Sequence, residues 1–261
     1  MSELVALIFD VDGTLADTER DGHRVAFNQA FVAAGLDWEW AVPLYGELLK
    51  VTGGKERIRY YLDYYNTAFP RPADLDGFIK QLHADKTRYY TEMLALGMIP
   101  LRRGVKRLLD EARKEGVRLA IATTTTPENI VALLQNTKPP IPESWFEVIA
   151  AGEIVPAKKP APDIYLYTLQ QLGLRPEQCL AIEDSENGLL SACRAGLPTV
   201  VTVNDYTRAQ DFTEAALVID DMGEPGRPFS VLNGADVHGH TYLNLALLRR
   251  IRSGAMACFV R

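Results

Sequence analysis

Cysteine is scarce: Cys179, Cys193 and Cys258 are the only three in 261 residues, an odd set with no metal-ligand spacing. A disulfide framework is not what holds such a chain together, and a reducing, cytoplasm-like compartment is the expected setting. Long apolar runs are missing too. The longest are strand-sized, well short of the ~20 residues that a membrane span needs, so no membrane partner is expected. Positive charge is in deficit, with 28 Lys and Arg against 34 Asp and Glu and a net charge of −6. That argues against nucleic acid or anionic membrane as a partner, while leaving room for a small basic pocket facing an anionic substrate. No basic stretch precedes the apolar segment after Met1-Ser2-Glu3, so no signal or transit peptide is expected.

What is there is ordinary globular material, 47% hydrophobic and 24% charged, which excludes wholesale disorder. The length suits one large domain, or a domain carrying a sizeable insert, with an ample core. Short apolar runs recur at Leu4–Phe9, Val117–Ala122, Phe146–Ala150, Cys179–Ile182, Thr199–Val203 and Ala215–Ile219. Their near-continuous apolarity predicts strands covered on both faces. Between them lie helix patterns at Val105–Glu115, Pro162–Leu172 and Glu186–Ala195, each closed by a glycine (Gly116, Gly173, Gly196). The alternation predicts an α/β fold, a Rossmann-like, doubly wound and mainly parallel sheet.

The first interval breaks this rhythm. Between the strand ending near Phe9 and the next near Val117, only helices are expected, at Arg24–Ala34, Leu44–Leu49, Glu56–Tyr65 and Leu75–Leu96. Residues 16–100 therefore read as a helical cap inserted after the first strand, with 1–15 and 101–222 forming the α/β core. The cap is expected over the carboxyl edge of the sheet, where open α/β sheets bind ligands. Residues 223–261 begin with a turn-rich stretch, Gly223–Pro228, and continue with apolar residues at helical spacing, a tail expected to pack on the body or on a second subunit.

The chemistry concentrates at strand ends. In Asp10-Val11-Asp12-Gly13-Thr14 the two carboxylates lie on one side of an extended chain, and Gly13 permits a tight turn. One aspartate suits a nucleophile and its neighbour a general acid/base, although a bare Asp-Gly pair is more often only a turn. Thr123-Thr124-Thr125-Thr126 offers hydroxyl donors, or caps a helix before Pro127. Lys159 stands just before a helix, where a lone lysine is usually solvated. Glu183-Asp184-Ser185 supplies hard oxygen ligands suited to Mg²⁺, or simply caps the helix that follows. Each bland alternative is reasonable singly; four such clusters at successive strand ends point to one site.

In that order, Asp10–Thr14, Thr123, Lys159 and Glu183-Asp184 resemble the four motifs of the haloacid dehalogenase superfamily. Lys159-Pro160-Ala161-Pro162-Asp163, Glu183–Gly188 and the helical insert are similar to its β-phosphoglucomutase-like branch. The resemblance covers about residues 4–220. It implies a Mg²⁺-dependent phosphoryl transfer in which Asp10 is the nucleophile and Asp12 the general acid/base. Thr123 and Lys159 would hold phosphoryl oxygens. The metal would take the Asp10 carboxylate, the Asp12 carbonyl and the Asp184 carboxylate, with Glu183 more remote or bridged by water. Asp12 would need a raised pKa, expected from crowding with Asp10.

The insert speaks to the substrate. Thr52-Gly53-Gly54-Lys55-Glu56-Arg57 opens a helix with backbone amides and two cations, and can hold a second phosphate. It is not a nucleoside-triphosphate loop, because the Gly-x₄-Gly-Lys spacing is absent. His83 and Lys86 fall on one helix face, and Glu19 and His23 form an i,i+4 pair within reach of sugar hydroxyls. With Thr18-Glu19 and the Thr123-Thr124-Thr125 run, this stretch resembles the CbbY family of Calvin-cycle-associated sugar-bisphosphate phosphatases, which act on xylulose 1,5-bisphosphate. The resemblance adds Thr124, Thr125 and Asn187 to the expected substrate contacts. A phosphosugar mutase shares every core residue and is the alternative enzyme. A non-catalytic sugar-phosphate sensor is the alternative of another class, disfavoured because it has no use for Asp12 beside Asp10. A monomer or weak homo-oligomer in the cytoplasm is expected.

Overall fold

The structure, a computed structural model, describes residues 3–51 and 53–254. The chain opens with strand β1 (Ala6–Phe9), followed by a π-helical turn (Thr18–His23). Helices α1 (Arg24–Ala33), α2 (Val42–Leu48), α3 (Gly54–Tyr64) and α4 (Leu75–Ala95) come next. After α5 (Val105–Lys114), strands and helices alternate as β2 (Arg118–Ala122), α6 (Pro127–Asn136), β3 (Phe146–Ala150), α7 (Asp163–Leu172), β4 (Cys179–Glu183) and α8 (Glu186–Arg194). Strands β5 (Thr199–Thr202), β6 (Leu217–Ile219) and β7 (Val231–Gly234) and helix α9 (Leu245–Gly254) complete the described chain. It divides into two compact units, one made of residues up to 17 and from 100 onward, the other of residues 18–99.

The first unit is a seven-stranded sheet in the order β3-β2-β1-β4-β5-β6-β7, parallel throughout except where β7 runs antiparallel to β6. The central strands are buried from end to end, which explains why they lack alternation in the sequence. One face is paved with small side chains. Ala6, Ala120, Ala122, Ala150, Cys179 and Ala181 share a cluster with Ile164, Tyr165, Leu169 and Leu172 of α7. Their small volume lets α7 approach closely and seats the Tyr165 ring, fully buried, beneath the strand ends. A second cluster joins Leu189 and Cys193 of α8 to Val201, Val203, Phe212 and Val218. Helix α8 starts at Ser185, whose hydroxyl accepts from the Gly188 amide at 3.1 Å.

A helix after the threonine run was one of the two readings offered by the sequence, whereas strand β7 was not expected from it. Helix α6 has Pro127 at its start and buries Ile130, Leu133 and Leu134. Strand β7 is wholly exposed and pairs through its backbone alone, so no hydrophobic pattern marks it. The segment after Gly223 packs back onto the body: Leu243, Leu245, Leu247, Leu248 and Ile251 are buried, and α9 lies against α5 and β4. Arg107 ties this return by donating to the carbonyls of Gly223 (3.1 Å) and Leu243 (2.9 Å). Cys258 lies outside the described residues, among which no helix is long and apolar enough to cross a membrane.

The second unit contains the four helices expected of the insert, plus the π-helical turn that the sequence did not announce. Its core is aromatic. Trp40 is fully buried with its ring 4.7 Å from Phe27, 4.9 Å from Phe31 and 5.4 Å from Tyr61. Asn28 pins it, accepting from the Trp40 amide at 2.8 Å and donating to its carbonyl at 3.2 Å. Such aromatic clusters contribute roughly 0.5–1.5 kcal/mol per ring pair beyond simple burial.

Candidate functional site

The strand order reverses between β1 and β4, and both strands deliver carboxylates at that crevice. Asp10 follows β1 directly, its amide continuing the ladder to the Ile182 carbonyl at 3.0 Å. Glu183 closes β4 and Asp184 follows it. Carboxylate oxygens of Asp10, Glu183 and Asp184 lie within 4.8 Å of one another, and all three residues are buried. The chain then turns at Gly13, whose φ is +85°; an added Cβ would stand 2.1 Å from Asp184 Oδ2 and 2.8 Å from Asn204 Nδ2. Glycine is required there twice over, by conformation and by space.

Lys159 is brought to this crevice by the loop before α7. Its Nζ donates to Asp10 Oδ1 at 2.6 Å, Glu183 Oε1 at 2.5 Å and the Ala122 carbonyl at 3.0 Å, with the side chain only 9% exposed. Burial opposes the charge on this lysine, yet Asp10 and Glu183 together hold its ammonium above the ordinary range. Burial pushes the carboxyls of Glu183 and Asp184 upward, and the neighbouring carboxylates add to it. The Lys159 charge opposes the shift at both, as does Arg102 at Asp184. Three carboxylates facing one ammonium leave a net negative pocket of hard oxygen donors, the donor set that suits Mg²⁺.

The other expected core residues converge as well. Thr123, buried after β2, accepts at Oγ1 from the Thr125 amide at 3.3 Å. Thr125 Oγ1 donates to Asp12 Oδ2, so the threonine run reaches the second aspartate. Thr124 is exposed, as is Asn187 in the first turn of α8.

Three functional neighbours have no counterpart among the sequence expectations. Tyr165 donates to Glu183 Oε1 at 2.5 Å, so that oxygen is engaged by both the phenol and Lys159. Asn204 Nδ2 donates to Asp184 Oδ2 at 2.6 Å. Arg102, 8% exposed, donates to the carbonyls of Gly13, Thr202 (2.8 Å), Val203 (2.6 Å) and Asp220 (2.8 Å), locking the turn after Asp12 to the ends of β5 and β6. Asn204 was within reach of the strand-end reasoning, since it follows β5 as Asp10 follows β1. Tyr165 and Arg102 carry no sequence signal of this kind.

The helical unit holds its own polar cluster. Glu19 and His23 stand on the π-helical turn, Tyr45 on α2, Arg57 on α3, and His83 and Lys86 on α4. The Tyr45 hydroxyl donates to Glu19 Oε2 at 2.7 Å and accepts from Arg57 Nη1 at 2.8 Å. Lys86 Nζ lies 2.8 Å from His23 Nδ1, and 5.1 and 5.2 Å from the Phe27 and Tyr90 ring centroids. An ammonium can only donate, so the imidazole accepts at Nδ1 and carries its proton on Nε2. Burial, reinforced by Lys86 and Arg57 against the pull of Glu19, brings His23 down to about 4. His83 is also pushed down, by burial and by Lys86 and Lys55. Burial works to raise the Glu19 carboxyl, but His23, Arg57, the Tyr45 hydroxyl and Lys86 outweigh it.

The Gly-Gly opening of α3 is only partly as expected. At Gly54 an added Cβ would sit 2.5 Å from His83 Cδ2, so this glycine lets α4 lay its histidine against the helix start. Gly53 is exposed with φ +95°, and Thr52 lies outside the described residues. Lys55 and Arg57 do not lie side by side. Two residues apart on α3, they face different sides of the helix. Arg57 is buried against Tyr45 and the Leu48 carbonyl (3.2 Å), whereas Lys55 is exposed along a surface groove with Arg59, Tyr60 and Lys80.

Residues 4–196 match the family described as haloacid dehalogenase-like hydrolase. The chain is 47% identical to the plasmid-encoded protein CbbY of Cupriavidus necator over 252 residues, covering 96% of this chain and 98% of that one. It is 51% identical to protein CbbY of Rhodobacter capsulatus over 220 residues, 84% of this chain and 94% of that one. Among solved structures it is similar to CbbY of Rhodobacter sphaeroides in complex with phosphate, with 44% identity and a TM-score of 0.69 over 84% of this chain and 94% of that chain. A mutant of that Rhodobacter protein, solved in complex with xylulose-(1,5)bisphosphate, matches with the same identity, TM-score and coverage.

Proposed function

The chain belongs to the haloacid dehalogenase-like hydrolases, and from that membership we propose that it is a Mg²⁺-dependent phosphatase acting on a small sugar bisphosphate, with xylulose 1,5-bisphosphate its substrate. The observation that carries the reading is Asp10, a buried carboxylate held by Lys159 beside Glu183 and Asp184 at the crevice where the strand order reverses.

Asp10 attacks phosphorus, an O–P bond forms to its carboxylate, and the bond from phosphorus to the sugar oxygen breaks. Asp12 gives its proton to the departing alkoxide. It then takes a proton from water as that water attacks the aspartyl-phosphate, which releases inorganic phosphate and restores Asp10. Thr123 and Lys159 hold the phosphoryl oxygens as charge shifts onto them. The Asp10 and Asp184 carboxylates and the Asp12 carbonyl would hold Mg²⁺, with Glu183, engaged by Lys159 and Tyr165, more remote or reaching it through water. When bound, the ion supplies neutralisation of the charge between the Asp10 carboxylate and the arriving phosphate.

Residues 16–100 act as the cap that recognises the substrate. There Arg57, Lys86 and Lys55 attract the second phosphate, and Glu19, with His23, meets the sugar hydroxyls. Thr124, Thr125, Asn187, Thr52, Gly53, Gly54 and His83 complete the substrate contacts.

The test is phosphate release with Mg²⁺ across xylulose 1,5-bisphosphate, hexose monophosphates and phosphoglycolate. A strong preference for the bisphosphate is expected. Equal rates for bisphosphate and monophosphates would overturn the substrate assignment, and an isomeric sugar phosphate in place of inorganic phosphate would identify a mutase.

A further inference from the structure

The phenol of Tyr45 joins two charged side chains from different helical segments, and the phosphoryl chemistry above makes no use of it. Its ring is fixed by packing: Tyr45 is fully buried, with ring centroids 5.9 Å from Trp40 and 6.2 Å from Phe27. A phenol has one proton. Since Arg57 can only donate, accepting its bond at 2.8 Å commits the Tyr45 proton to Glu19 Oε2 at 2.7 Å, so both bonds have a determined direction. The Arg57 guanidinium is further held by the carbonyls of Leu48 (3.2 Å) and Val51 (3.4 Å), with its carbon 5.1 Å from the same tyrosine ring centroid. Glu19 has no other hydrogen-bond partner among the described residues, which leaves its Oε1 available as an acceptor. Glu19 and Arg57 make no direct ion pair among the described residues; the hydroxyl stands between them.

That spacer has a consequence for recognition. A carboxylate and a guanidinium left in contact satisfy one another bidentately and withdraw from any ligand. Held apart by a neutral hydroxyl, the carboxylate keeps an oxygen for a sugar hydroxyl and the guanidinium keeps donors for an anion. With Lys86 next to His23, the cluster has more cations than carboxylates and suits a phosphorylated polyol.

We propose that Tyr45 is a positioning residue for substrate specificity, holding Glu19 and Arg57 apart and oriented so that the helical unit distinguishes a phosphorylated polyol from a plain phosphate monoester. The inference rests on the reading of the chain as a sugar-phosphate phosphatase.

The test compares wild type, Tyr45→Phe, Glu19→Gln and the double variant, each as the full chain with Mg²⁺, on xylulose 1,5-bisphosphate and on p-nitrophenyl phosphate. Phenylalanine keeps the ring packing and removes only the oxygen. A lost pair of charge-assisted hydrogen bonds predicts a fall of roughly 10- to 100-fold in kcat/KM for the bisphosphate, carried mainly by KM. The fall with p-nitrophenyl phosphate is expected to be several-fold smaller, and in the Glu19→Gln background the effect of Tyr45→Phe shrinks because the carboxylate it positions is gone. A parallel loss on both substrates, an unchanged KM for the bisphosphate, or full additivity of the two substitutions overturns the proposal. A wild-type enzyme that treats both substrates alike overturns the substrate reading itself, and the inference with it.

Discussion

Replacing Lys159 with methionine removes the cation that bridges Asp10 and Glu183 while keeping the aliphatic volume. The ammonium bridges Asp10 Oδ1 and Glu183 Oε1 at 2.6 and 2.5 Å, and Glu183 is fully buried. Breaking a buried charge pair by deleting one partner costs about 3–5 kcal/mol, because the other charge stays buried without compensation. For a chain of this size a loss of 1 kcal/mol lowers Tm by roughly 2–4 °C, so Lys159→Met is expected to melt roughly 6–20 °C below wild type in EDTA. Adding Glu183→Gln removes one orphaned charge and leaves an amide oxygen to accept from Tyr165, so the double variant recovers part of the loss. Turnover should fall by at least about 10²-fold, since a donor to the transferring group has gone. The assay is thermal and urea unfolding followed by circular dichroism with EDTA present, alongside phosphate release with Mg²⁺. A Lys159→Met protein as stable as wild type in EDTA, or one that Glu183→Gln destabilises further by the full single-variant amount, would refute the account of the pocket as a charge cluster held by one lysine.

Asp10→Asn is expected to abolish phosphate release with the circular dichroism spectrum and melting unchanged; appreciable turnover in that variant removes Asp10 as nucleophile. Gly13→Ala should lose both metal-dependent activity and stability, because its Cβ would stand 2.1 Å from Asp184 Oδ2 at a φ of +85°, whereas Gly226→Ala, with nothing within 4 Å, should match wild type in both assays. His23, held neutral with a pKa down at about 4, binds its proton more readily in the unfolded chain. Its contribution to stability is therefore complete above about 6.5, the ordinary histidine value, and is lost as the pH falls toward 4, by at most about 3 kcal/mol. His23→Gln should flatten the stability profile over that window, and an identical profile in the two proteins would show that His23 is not the group titrating.

Much of the site could be read before any coordinates, and the reason is local. A parallel strand buried on both faces shows itself as an apolar run, and the residue after such a run stands at the carboxyl edge of the sheet. Asp10, Thr123, Glu183 and Asp184 are all placed by that rule. Asn204 obeys it too, following β5, but a lone asparagine carries no chemistry that draws the eye. The strand β7 escaped because it is exposed on both sides and pairs only through its backbone. Lys55 and Arg57 part for a geometric reason: adjacency in sequence is not adjacency on a helix, and one side chain goes inward to Tyr45 while the other stays at the surface.

Order along the chain was enough to determine the fold class, the position of the helical insert and the identities of the acidic residues at the strand ends, since each depends on a short stretch and its period. Which side chains share a charge was decided only in three dimensions. Lys159 meets Asp10 although the two are 149 apart in residue number, and Arg102 meets Val203 although they are 101 apart. Tyr165 reaches Glu183 because the alanines of the sheet face let α7 come close. Tyr45 separates Glu19 from Arg57 because an aromatic core of Phe27 and Trp40 fixes its ring. Such encounters depend on packing distance and side-chain direction, neither of which is written in the local pattern of residues.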